Sequence, residues 1–159
     1  MMFKSHLVVA SAGFVSYVHY YNGGNWQFNW ELAVGFLCVL AGACLPDIDH
    51  PSSTVGKRLT FISYPIRVIF GHRGITHSLI SVAAILYLSI RFESIYISWI
   101  ALGYLLHLAG DYLTDAGIPL LYPSRKRFRF LLVGSTNSAS EYVMVGIVML
   151  AVLFYVTNF

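Results

Sequence analysis

Charged side chains are scarce in this chain, at 11% of 159 residues, where a soluble domain carries roughly 25%. So few polar groups cannot cover a water-facing surface. An ordinary soluble globular domain is therefore excluded, and lipid must cover part of the molecule. Cysteine is scarce too: Cys38 and Cys44 are the two present, and both lie in one apolar run. That excludes an exported disulfide scaffold and reads them as small buried hydrophobes. No His-Glu-x-x-His occurs, which argues against an intramembrane zinc protease of that kind. Internal repeats and low-complexity stretches are lacking, and a net charge of +3 is no footprint of a nucleic-acid partner.

What the chain has is apolar length. Five runs stand out, at 6–21, 30–45, 76–90, 94–113 and 141–157. A crossing takes about 20 residues, with a lower limit near 17, so the first three are short and the third is the shortest. In lipid every backbone polar group must be satisfied internally, which makes helices the form of these runs. Lys4 and Ala10-Ser11-Ala12 imitate a cleaved signal peptide. The apolar stretch between them is too short, and the hydrophobicity continues past it, so it reads as a retained first span. The connections 46–75 and 114–140 mix apolar and basic residues: Phe61, Ile62, Val68 and Phe70 with Lys57, Arg58 and Arg67, then Phe128, Phe130, Leu131 and Leu132 with Arg125, Lys126, Arg127 and Arg129. Segments of this kind lie in the membrane interface.

With five crossings, nine of the ten basic residues fall on one side of the membrane and Arg91 alone on the other. The positive-inside rule then puts the N-terminus and both long connections in the cytoplasm and the C-terminus outside. Trp26, Trp30 and Trp99 fall near the outer interface, where aromatic residues are normal.

On that topology, four separate regions deliver histidine and aspartate to one membrane depth. His6 opens the first run. Asp47 and Asp49 follow the second, where Pro46 ends the helix. His72 and His77 precede the third and bracket Gly74, which permits a sharp turn. His107 and Asp111 lie in the last turns of the fourth. The spacing of His107 and Asp111 is i, i+4, so both leave one helical face and suit two ligands of one ion, or a ligand and its orienter. Charged groups within a span are costly and usually functional. Paired carboxylates and imidazoles suit hard or borderline divalent ions, and Arg73 could hold a phosphate oxygen. His50 is either a ligand or a capping neighbour. Asp115 and Glu141 are secondary candidates, and His19, near the opposite face, reads as structural.

The motifs Leu-Pro-Asp-Ile-Asp-His-Pro at 45–51, Gly-His-Arg-Gly-Ile-Thr-His-Ser at 71–78 and Gly-Tyr-Leu-Leu-His-Leu-Ala-Gly-Asp-Tyr-Leu-Thr-Asp-Ala-Gly at 103–117 resemble the YdjM-type membrane-bound metal-dependent hydrolases of bacteria. The early His6 and Pro119-Leu120-Leu121-Tyr122-Pro123 fit as well, and the resemblance covers nearly the whole chain except the last run. It implies a distant relation to zinc-dependent phospholipase C and the P1-type nucleases, all-helical enzymes that bind zinc through histidine and aspartate, including a His-x-x-x-Asp helix. By that resemblance His6, Asp47, His72, His77, His107 and Asp111 are ligands or catalytic groups. A link of some members to the SOS repressor LexA is likewise implied only by resemblance.

The expectation is a single all-α domain over 1–159, a polytopic membrane protein with about five membrane-embedded helices and two interfacial cytoplasmic connections. It would be an inner-membrane hydrolase using one or two divalent ions, zinc first, with manganese or magnesium as alternatives. The ligands would come from His6, Asp47, Asp49, His72, His77, His107 and Asp111. Asp47, Asp49 and His77 would carry catalysis, and Arg73 would meet a phosphoester substrate, a lipid among the candidates. The rivals are a metal or proton transporter and a non-catalytic protein that uses metal to pin its helices.

Overall fold

Five of the helices in the computed structural model fall on the five apolar runs: α1 (Phe3–Tyr21), α2 (Trp30–Cys44), α4 (Leu79–Arg91), α5 (Ile95–Tyr112) and α6 (Ala139–Asn158). A sixth, α3 (Thr60–Phe70), forms inside the first connection. The structure describes residues 1–159 except Trp26, Phe28, His72, Arg125 and 131–134. The readings made of Trp26, His72, Arg125, Leu131 and Leu132 therefore lie outside the described residues. Among the described residues no strand forms, and an isolated antiparallel bridge joins Ile118 and Phe128, so the class is all-α.

Among the described residues, two stretches are long and apolar enough to cross a membrane: Trp30–Asp49, where α2 runs on into a short 3-10 turn, and Ala139–Asn158. α1 and α5 have the length, with 19 and 18 residues, or about 28 and 27 Å. Their hydropathy is lowered by His6, His19, His107 and Asp111, all of which they bury. α4, with 13 residues, reaches about 20 Å, short of a hydrocarbon core of about 30 Å.

Local sequence sets the helix ends. The Asn29 side chain accepts from the Leu32 amide at 2.8 Å and caps α2. Pro46 cannot continue α2 but suits the first position of the turn Pro46–Asp49, which swings Asp47 and Asp49 off the helix axis. Glu141 opens α6. Its carboxylate accepts from the Asn137 amide at 2.7 Å and from the Met2 amide at 2.8 Å, so it caps α6 and ties it to α1. This secondary candidate is a structural carboxylate.

The bundle core is α1, α2 and α5, where Ala10, Phe14, Val18, Val39, Ala43 and Trp99 pack together. Trp99 is buried there between Phe14 and Tyr17, at 5.1 and 5.0 Å between ring centres, and is a core residue rather than a lipid-facing one. α2 and α5 touch through backbone. A Cβ at Gly103 would overlap the Val39 carbonyl, and one at Gly42 would overlap the Ile100 carbonyl. Small residues allow this approach, and it matters because it brings the end of α2, with Asp47, against His107 of α5. A second cluster, Val82, Tyr104, Leu108 and Ile118, binds α4 and the 118–128 loop to the other side of α5.

α3 behaves differently. Its buried residue is Ser63, while Phe61, Tyr64, Val68 and Ile69 are exposed. Those four sit at i, i+3, i+7 and i+8, one continuous face that the rest of the chain leaves uncovered. An amphipathic helix of this kind is the form an interfacial connection takes.

Candidate metal centre

Asp111 is the hub. Fully buried at the end of α5, it faces His6 Nε2 at 3.2 Å and the Met1 ammonium at 2.6 Å through Oδ1. Through Oδ2 it faces Arg73 at 3.0 Å, His77 Nε2 at 3.6 Å and His107 Nε2 at 3.9 Å. His107 Nε2 in turn lies 3.8 Å from Asp47 Oδ1. Ligands of one ion lie roughly 3–4 Å apart, given bonds of about 2.0–2.2 Å. Two groups, His6/His107/Asp111 and Asp47/His77/His107, each offer ligand atoms within 4.8 Å of one another.

The histidines are oriented from behind. His107 Nδ1 lies 2.7 Å from the Ala43 carbonyl oxygen. That oxygen can only accept, so the proton sits on Nδ1 and the Nε2 lone pair points into the cluster. His77 Nδ1 lies 3.3 Å from Asp49 Oδ2, the carboxylate–histidine arrangement that fixes ring orientation beside a metal. The same Asp49 oxygen accepts from the Arg73 amide at 2.9 Å and from the Thr76 hydroxyl. The turn Pro46–Asp49 thus divides its two carboxylates: Asp47, half-buried, faces His107, and Asp49, fully buried, faces the back of His77. The His6 and His107 rings stack at 3.7 Å. Their contact is possible because residue 110 is glycine, where a Cβ would sit 3.2 Å from His6 Nδ1.

The donor set fits a cation. His6 Nδ1, His107 Nε2 and Asp111 Oδ2 are buried without a hydrogen-bond partner among the described residues; the Arg73 guanidinium is at ion-pair distance from Oδ2 but outside hydrogen-bond geometry. Such groups are costly to leave unsatisfied. Two imidazole nitrogens and carboxylate oxygens at this spacing are a zinc-type set. Arg73 completes the wall. Its backbone has φ 56, uncommon for a residue with a side chain, and it is held there by Asp49 on its amide and by the Gly117 carbonyl, 3.2 Å from Nη1.

Of the residues picked from sequence, His6, Asp47, Asp49, Arg73, His77, His107 and Asp111 converge, while His72 lies outside the described residues. Asp115 is exposed. His50 Nδ1 accepts from the Ser52 amide at 3.1 Å, a capping contact. His19 is buried at the other end of α1 against Tyr155. Cys38 and Cys44 are free and half-buried in α2. Sequence reasoning missed Thr76, the Ala43 carbonyl and Tyr104, whose hydroxyl donates to the Thr76 carbonyl. Thr76 alone carried a signal, by its place between Arg73 and His77.

Across residues 1–159 the chain matches the family described as YdjM inner membrane protein. Similar relatives include the inner membrane protein YdjM of Escherichia coli and that of Shigella flexneri, each 53% identical over 93 residues, covering 54% of this chain and 47% of the relative. The uncharacterized protein YvsG of Bacillus subtilis is 33% identical over 116 residues, covering 72% of both chains. The chain thus spans about half the length of the first two relatives. No solved structure matches it.

Proposed function

We propose that this chain, which belongs to the YdjM inner membrane protein family, is a metal-dependent phosphoester hydrolase working at the cytoplasmic face of the inner membrane. The observation that carries the reading is that His6 Nδ1, His107 Nε2 and Asp111 Oδ2 are buried together at Asp111 without hydrogen-bond partners among the described residues. His6, His77, His107, Asp111 and Asp47 would hold the ion, zinc before manganese or magnesium. A divalent ion there supplies Lewis acidity at neutral pH. Asp47, the most accessible of these carboxylates, would take a proton from an attacking water through an oxygen not engaged by the ion. Asp49 keeps His77 in orientation, and Arg73 neutralises charge on a phosphoryl oxygen. Metal analysis of the purified protein, followed by a phosphoester screen with the metal found, tests the reading. Stoichiometric zinc and zinc-dependent hydrolysis are expected. Protein that holds no ion and cleaves nothing overturns it.

The two cations already on Asp111, the Met1 ammonium and Arg73, favour one second reading, a non-catalytic centre that pins α1, α5 and the 73–77 turn together. Retained zinc without hydrolysis of any phosphoester selects it.

The topology belongs to the same proposal: α1, α2, α4, α5 and α6 cross, the N-terminus is cytoplasmic, and the C-terminus is outside. The basic asymmetry supports it. A phosphatase reporter fused after Phe159 should be active only as an exported domain. A cytoplasmic signal there would mean that one helix does not cross, and α4, the shortest of the five, is the one to test next.

A further inference from the structure

Beside the metal centre, on the far side of Arg73, lies a cavity of about 490 Å³ lined by Phe70, Arg73, Pro119, Tyr122, Ser124 and Arg127 among others. Its charged wall is built from one short stretch of backbone. The carbonyls of Ala116 and Gly117 accept from Arg127 and Arg73, each through a single nitrogen at 3.2–3.3 Å. Each contact fixes a guanidinium through one nitrogen: Arg127 keeps its other donors, while Arg73, whose Nη2 faces Asp111, keeps Nε. Arg73 Nε is buried with no hydrogen-bond partner among the described residues. The other wall is the C-terminal end of α3, with Val68, Ile69 and Phe70, continuous with the uncovered apolar face of that helix. Arg73 belongs to both places: it lines the cavity and reaches Asp111.

A cavity with two arginines on one wall and an exposed apolar helix on the other fits a ligand with an anionic head and an apolar tail. At the depth of an interfacial helix the abundant anion of that kind is a phospholipid phosphate, and arginine binds it through paired, charge-assisted hydrogen bonds. We propose that this cavity seats the phosphate of an amphipathic phosphoester between Arg73 and Arg127, with the apolar tail leaving along α3. The inference rests on the metal-centre reading for its chemistry, since it places the phosphate one side chain away from the ion's ligands, and it names a lipid as the substrate class.

Binding separates the alternatives. The full chain in nanodiscs is titrated with dihexanoyl phosphatidic acid, glycerol 3-phosphate and inorganic phosphate, with and without zinc. The lipid should bind at least about tenfold more tightly than glycerol 3-phosphate, because two buried methylenes suffice for that. Arg127→Gln should weaken both about tenfold or more, as loss of a charge-assisted hydrogen bond does. The double variant Val68→Ser, Ile69→Ser should weaken only the lipid. Equal affinity for all three probes, indifferent to the α3 variant, would reduce the cavity to a simple anion site and overturn the proposal, as would the absence of saturable binding. Zinc retained without lipid binding sinks this inference and leaves the metal centre standing. Lipid bound by protein that retains no zinc does the reverse.

Discussion

His107→Ala should lose its metal and its metal-dependent hydrolysis, by more than 100-fold, while the protein still inserts into the membrane. His107 belongs to both candidate ligand groups. Its Nε2 is buried, without a hydrogen-bond partner among the described residues, and turned inward by the contact of Nδ1 with Ala43. No other described nitrogen has that combination of tautomer and position, so nothing replaces it. Losses of an outer-shell partner alone typically cost 10–100-fold, and removal of a ligand exceeds that. The check is the metal-to-protein ratio of purified protein together with turnover in the phosphoester assay. Asp49→Asn, which disturbs the orientation of His77 and the hold on Arg73 and Thr76, should fall within the 10–100-fold range. His19→Ala, at the other end of α1, should change neither quantity. Full metal content in His107→Ala together with its loss in His19→Ala would put the site at the opposite end of the bundle.

Asp111→Ala should differ in kind, because it destabilises the protein even without metal. The carboxylate compensates the Arg73 guanidinium and the Met1 ammonium, and all three groups are largely withdrawn from water. Removing one partner of a buried pair leaves uncompensated charge and costs about 3–5 kcal/mol. For a chain of this length that is a fall in Tm of about 10 °C, measured in detergent with a chelator present. Adding Arg73→Met to Asp111→Ala should restore part of the loss without restoring metal binding, since it removes a stranded cation and returns no ligand. A single Asp111→Ala variant as stable as the parent would mean that the ion pairs around the hub contribute nothing to the fold.

Zinc separates both variants from the parent. A ligand that binds only the folded protein stabilises it by about 2.7 kcal/mol at 100 times its Kd. The parent should gain that increment, and neither variant should.

The helices were largely legible in the sequence. A low charge content and five apolar runs predict an all-helical membrane protein, and those runs match α1, α2, α4, α5 and α6 within a few residues. The runs do not say which helices are long enough to cross, because α1 and α5 carry histidine and aspartate that lower their hydropathy while being buried against neighbours. α3 escaped for a related reason. Its apolar residues are separated in sequence by Ser63, Pro65 and Arg67, and a short helix inside a basic connection has no period long enough to stand out.

The candidate site divides along the same line. Residue type and spacing alone determine which side chains are available: an i, i+4 pair sends His107 and Asp111 from one face of a helix because 3.6 residues make a turn, and two carboxylates after a proline must leave the end of α2. Only the tertiary structure decides what each does. The close approach of α2 and α5 at Gly42 and Gly103 depends on backbone contacts that no local pattern encodes. That approach puts Asp47 before His107, and the 3-10 turn behind it puts Asp49 at the back of His77 instead of beside it. Two aspartates two residues apart, equivalent in sequence, are thereby given different partners, because a turn with three residues per revolution cannot point both at the same atom.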